Sequence, residues 1–127
     1  MKLRTLLILQ FLYAAMAIAY LAVSYLQVRA GGAQLSTAPP LPAMVLFVVY
    51  AALVYAFGVR YRQSPYRIAM AIAIPALAYG GVLMNIVNYF QTGLDGYSSF
   101  AAWAIGTAIN TYGLIWNVVA AIGAYRR

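Results

Sequence analysis

The sequence predicts an all-α fold, a four-helix transmembrane bundle, from three observations. Four apolar runs are each long enough to cross a bilayer, short connections rich in turn-forming residues separate them, and the basic residues gather at the ends of the runs. Of 127 residues, 66% are hydrophobic and 7% are charged, and the mean hydropathy is +0.85; a soluble domain carries about 25% charged residues. A chain of this size cannot hide so much apolar surface by folding on itself, and it has room for a single domain, residues 1–127.

A hydrocarbon core about 30 Å thick takes roughly 20 apolar residues of helix. The spans expected on that basis are 5–28, 41–59, 68–90 and 99–124. The first opens behind Lys2 and Arg4 and holds Ala17-Ile18-Ala19, which together imitate a cleavable signal. The run continues through Tyr20-Leu21-Ala22-Val23 without a polar stretch, beyond the roughly 7–15 residues of a signal's apolar region, so a retained helix is expected. The connection 29–40 carries Gly31-Gly32 and Pro39-Pro40, the connection 60–67 carries Ser64-Pro65, and the connection 91–98 carries Gly93 and Asp95-Gly96. Within the third span, Pro75 and Gly80-Gly81 can bend the helix and admit a close neighbour. Transmembrane strands would alternate over about ten residues between turns; these runs are longer and unbroken.

Lys2, Arg4, Arg60, Arg62, Arg67, Arg126 and Arg127 fall on one side of a four-span chain and Arg29 alone falls on the other. The bias of basic residues toward the cytoplasm places both termini and the second connection there, in a bacterial inner membrane protein. The formal charge of +7 therefore reads as orientation signal and contact with anionic lipid head groups, not as nucleic-acid binding. Val23-Ser24-Tyr25-Leu26-Gln27 and Val87-Asn88-Tyr89-Phe90-Gln91 end the odd spans alike, and Gly58-Val59-Arg60-Tyr61-Arg62 resembles Gly123-Ala124-Tyr125-Arg126-Arg127 at the ends of the even ones. Two helical hairpins related by an axis along the membrane normal would give this pattern. So would shared aromatic-belt and charged-end composition.

The chain has no cysteine, no histidine and one acid, Asp95, set in Gly93-Leu94-Asp95-Gly96 as a turn residue. Thiolate and imidazole chemistry, metal ligation, paired-carboxyl catalysis and a proton relay within the spans are all without the groups they need. No metal, no cofactor and no catalytic residue is expected. Of the twelve tyrosines, those near span ends need only the interfacial belt as explanation. Tyr13, Tyr20, Tyr50, Tyr55, Tyr79 and Tyr112 lie deeper and need hydroxyl partners.

The amides carry the strongest polar signal. Asn85, Asn88 and Tyr89 stand at i, i+3 and i+4 on one face of the third span, while Thr107, Asn110, Thr111, Leu114 and Asn117 form a face of the fourth. Amides facing hydrocarbon would find no hydrogen-bond partner, so these should face protein or water. Interhelical bonding, the usual means of helix association in membranes, explains such a seam at about 0.6 kcal/mol per pair; the competing reading is a neutral polar cavity that descends past Asn110. The first functional expectation is a protein that binds or passes a neutral or amphipathic small molecule along Asn85, Asn88, Tyr89, Asn110 and Asn117. The second is a non-catalytic accessory or assembly subunit of a larger membrane complex, or a homo-oligomer, whose same residues bond to partner helices. An enzyme acting on a lipid-soluble substrate comes third.

Overall fold

A computed structural model describes residues 1–126; Arg127 lies outside the described residues, and so does its share of the basic cluster. The described chain is all-helical apart from an isolated bridge between Lys2 and Arg126. Its four helices long and apolar enough to cross a membrane are α1 (Leu3–Arg29), α2 (Pro40–Val59), α3 (Gln63–Thr92) and α4 (Phe100–Ile122). Their length and composition mark an integral membrane protein.

The third helix begins earlier than its apolar run. Gln63, Ser64, Pro65, Tyr66 and Arg67 form its first turns, leaving Arg60–Arg62 as the link from α2. Pro65 does not break this helix because it sits in the first turn, where its missing N–H has no intrahelical partner to lose. Further along, Pro75 is followed by a π-helical segment, Ala76–Leu83, before α-helical geometry returns at Met84. A second π-helical segment, Val54–Val59, ends α2. Such wide i→i+5 turns occur mostly as single turns inside α-helices and are frequent at functional sites. A regular cap closes α4 at its start, where the Ser99 side chain accepts from the Ala102 N–H, and Gly123 ends it in the left-handed region that favours glycine.

Helix α1 is the centre of the bundle. Leu3, Leu6, Leu7, Gln10, Tyr13, Ala14, Ala17, Leu21 and Ser24 are buried along one stripe at helical spacing. It packs between α2 and α4, and α4 packs in turn against α3. Lipid is as apolar as leucine, so close fit holds these helices together, not exclusion from water. Small residues make the fit possible: the Tyr13 ring seats on Gly113, the Tyr20 hydroxyl on Gly106, and Leu7 and Tyr66 on Gly58.

The chain termini meet at one end, where the Leu3 N–H donates to the Arg126 carbonyl at 2.6 Å and the Arg126 N–H to the Met1 carbonyl at 2.9 Å. Lys2, Arg4, Arg60, Arg62, Arg67 and Arg126 are exposed at this basic end. At the opposite end the first and third connections hold each other. Ser24 accepts from the Leu35 N–H at 2.9 Å, the Ser98 N–H donates to the Leu35 carbonyl, and Gly96 lies against Thr37 with no room for a side chain. Between these fastened ends α2 and α3 part company, since their packing is concentrated where Val54–Val59 meets Gln63–Pro75.

Candidate functional site

Two polar clusters stand inside the bundle. Nearer the basic end, Gln10 of α1 is fully buried at the centre of a cluster that takes in residues of all four helices. The Tyr66 hydroxyl donates to Gln10 Oε1, and Gln10 Nε2 reaches Met70 Sδ at 3.1 Å and Asn117 Oδ1 at 3.3 Å. The Tyr50 hydroxyl donates to the same Asn117 Oδ1. In a dry interior such bonds are hard to replace, so the cluster fixes the register of all four helices. Asn117 Nδ2 and the neighbouring Tyr13 hydroxyl are buried without a partner among the described residues.

The second cluster lies toward the opposite end and centres on the carbonyl of Gly81, within the π-helical segment of α3. Asn85 Nδ2 donates to it at 2.8 Å and Asn110 Nδ2 at 3.0 Å. A carbonyl oxygen has two lone pairs and can serve side chains as well as its helix. Glycine at 81 gives Asn110 its close approach, because a Cβ there would lie 3.1 Å from the Asn110 side chain and push it back. Asn85 is held from three further directions: Tyr97 donates to its Oδ1 at 2.7 Å, Trp103 Nε1 donates to its backbone carbonyl at 2.9 Å, and its own Nδ2 reaches Thr107 Oγ1 at 3.4 Å. Asn110 Oδ1, by contrast, has no hydrogen-bond partner among the described residues, nor is it a fully buried atom.

Two spaces share this cluster. A chamber of about 80 Å³, large enough to hold water, lies among Tyr20, Ser36, Phe47, Asn85, Tyr97 and Asn110. A cleft of about 380 Å³ runs from Ser36, Asn85 and Asn110 down between α2 and α3 past Phe47, Gly80 and Leu77 to Leu53 and Ala73. Ser36, Phe47, Asn85 and Asn110 line both. No charged residue lines either space. No group of three or more His, Cys, Asp or Glu stands together among the described residues.

The five residues singled out in the sequence thus separate. Asn85 and Asn110 come together and face both spaces. Asn88 is half-buried beyond them; its carbonyl accepts from Thr92 Oγ1, and its side chain lines neither space. Tyr89 stacks on Trp103 with ring centroids 4.4 Å apart, closing the outer part of the α3–α4 seam. Asn117 joins the Gln10 cluster and connects to the cleft only through Tyr50. Thr111, on the predicted polar face, is exposed and bonded back to the Thr107 carbonyl.

Among the deep tyrosines, Tyr20 donates to the Ala102 carbonyl at 2.7 Å and Tyr50 to Asn117, whereas the buried hydroxyls of Tyr13 and Tyr112 have no hydrogen-bond partner among the described residues. Tyr55 and Tyr79 point away from the interior, each at least 60% exposed. Gln10, Ser36, Phe47 and Tyr97 carry no spacing signal in the sequence that marks them. Their roles come from other helices and from the folded connections. Comparison with known protein families, characterised proteins and solved structures finds no match to this chain.

Proposed function

We propose that this chain binds or passes a neutral or amphipathic small molecule at an intramembrane site built on Asn85 and Asn110, in a bacterial cytoplasmic membrane with both termini cytoplasmic. The observation that carries this reading is the shared carbonyl. Two amides from different helices converge on Gly81, border both a chamber and a cleft, and leave Asn110 Oδ1 as an open acceptor. The volume of the cleft, about 380 Å³, falls in the range of ligand pockets, roughly 300–1,000 Å³. The uncharged lining favours a neutral ligand, because an ion there would have no counter-charge in a medium of low dielectric. Exposed basic residues at one end suit anionic head groups of the cytoplasmic leaflet.

In the accessory-subunit reading the same amides bond to partner helices. Asn85 would have to release bonds to Gly81 and Tyr97 to serve a partner, whereas Asn110 Oδ1 is open to a ligand or to a partner helix alike. The test is native mass spectrometry of the protein released from native membrane, comparing the unmodified chain with Asn110→Leu. A small molecule that co-purifies with the first and is lost from the second, at unchanged unfolding midpoint, supports a site. No bound molecule in either, with stability lowered by only about 1 kcal/mol in the variant, makes Asn110 helix glue and leaves the subunit reading standing.

A further inference from the structure

The cleft between α2 and α3 is graded along its length. At the end away from the termini it has the hydroxyl of Ser36 and the amides of Asn85 and Asn110; toward the basic end its walls are Leu53, Ala73, Ala76 and Leu77. From Asn85 to Ala73 the helix rises at most about 18 Å, less the shortening of its π-helical turns, or roughly half the thickness of a hydrocarbon core. The long side of the cleft faces outward, since α2 and α3 pack together only near the basic end. One wall is unusually open: nothing lies within 4 Å of where a Cβ on Gly80 would stand.

We propose that this cleft takes up, sideways from the bilayer, a neutral single-chain lipid with a hydroxyl head. The hydroxyl donates to Asn110 Oδ1, and the chain lies between Leu46 and Leu53 on one side and Ala76 and Gly80 on the other. The inference rests on the binding reading above and names its ligand class. A hydroxyl head suits both free groups of Asn110, since it can donate to the open Oδ1 and accept from the second N–H of Nδ2, of which one is spent on the Gly81 carbonyl. A charged head is disfavoured because no lining residue is charged.

The experiment uses the full chain in phosphatidylcholine nanodiscs and a monoacylglycerol carrying a diazirine midway along its chain. A Cβ at position 80 meets nothing within 4 Å and leucine is a better helix former than glycine, so Gly80→Leu is expected to fold while narrowing the cleft. The expected result is photolabelling concentrated on 46–53 and 73–80, at least tenfold lower in Gly80→Leu and in Asn110→Leu, and displaced by unlabelled monoacylglycerol. Labelling spread over the outer faces of all four helices and unchanged in Gly80→Leu would reveal only annular lipid and overturn the proposal. If Asn110→Leu loses a co-purifying small molecule while Gly80→Leu keeps it and no lipid probe is displaced, the polar site survives and the lateral chain does not. A second copy captured across the cleft, seen as a dimer that Gly80→Leu dissolves and the lipid leaves intact, also overturns it.

Discussion

The ring of Tyr13 in α1 occupies the space that a side chain at Gly113 of α4 would need. Tyr13 is fully buried, with Phe47 and Tyr50 edge-on to it at ring-centroid distances of 5.4 and 5.5 Å, so it has nowhere to retreat. Gly113→Ala is therefore expected to destabilise the bundle by about 1–3 kcal/mol, the usual cost of overpacking. Unfolding in mixed micelles with increasing dodecyl sulfate measures it. Gly80→Ala, which meets open space, is the control and should be neutral or stabilising.

Gln10 bonds α1 to α3 and α4, and Asn117 carries the cluster on to Tyr50 of α2. Gln10→Leu leaves the Tyr66 hydroxyl without its acceptor in a buried position. The expected loss is about 1–3 kcal/mol, more than the same change would cost if Gln10 made one ordinary bond. Adding Tyr66→Phe should recover part of it, because removing both partners is less costly than stranding one. A Gln10→Leu protein as stable as the unmodified chain in the same micelle assay would show that the cluster contributes nothing.

Tyr97 lies in the connection between α3 and α4, and burial pushes its phenol above the ordinary tyrosine value, while a hydrogen bond with Thr37 acts in the opposite sense. The protonated phenol is the form that donates to Asn85. Its contribution is fully present below the unfolded value of about 10 and is lost as pH rises through the higher folded value, since the folded state holds the proton more tightly. Trp103, bonded to the Asn85 carbonyl, reports the change by fluorescence in a Trp116→Phe background. The alkaline transition should disappear in Tyr97→Phe; its persistence there would assign it to another group.

Orientation is accessible because the chain has no cysteine. Ser64, in the first turn of α3, and Ser98, in the far connection, are both exposed. With cysteine introduced at one position at a time, an impermeant thiol reagent applied to intact cells should label position 98 and spare position 64. The reverse pattern would invert the proposed topology.

The four spans are legible in the sequence because their apolar runs exceed anything a folded soluble core of this size requires. The start of α3 is less legible: Ser64-Pro65 resembles a turn, and only the position of the proline within a first helical turn decides otherwise. Asn85 and Asn110 can be foreseen as neighbours, since both sit on polar faces of consecutive spans. Asn117 cannot be separated from Asn110 by spacing, because seven residues return a helix to nearly the same face. What separates them is depth, about 10 Å along the axis, and the different helices that approach at each level. Gln10 is invisible in an otherwise apolar run until Tyr66, Met70 and Asn117 are brought to it.

The π-helical segment of α3 also bears on how this chain tolerates changes in length. A ladder bonded i→i+5 carries more residues per turn than an α-helix, so a residue can be withdrawn from Ala76–Leu83 by tightening the local turns, with the flanking halves keeping their faces. Deletion of Ala78 should leave Asn85 opposite Thr107 and Tyr66 opposite Gln10. The same deletion within the regular stretch of α4 would rotate everything beyond it by about 100° and part Asn110 from Gly81 or Asn117 from Gln10. Length variation, ordinarily confined to loops, here has a permitted address in the middle of a membrane helix.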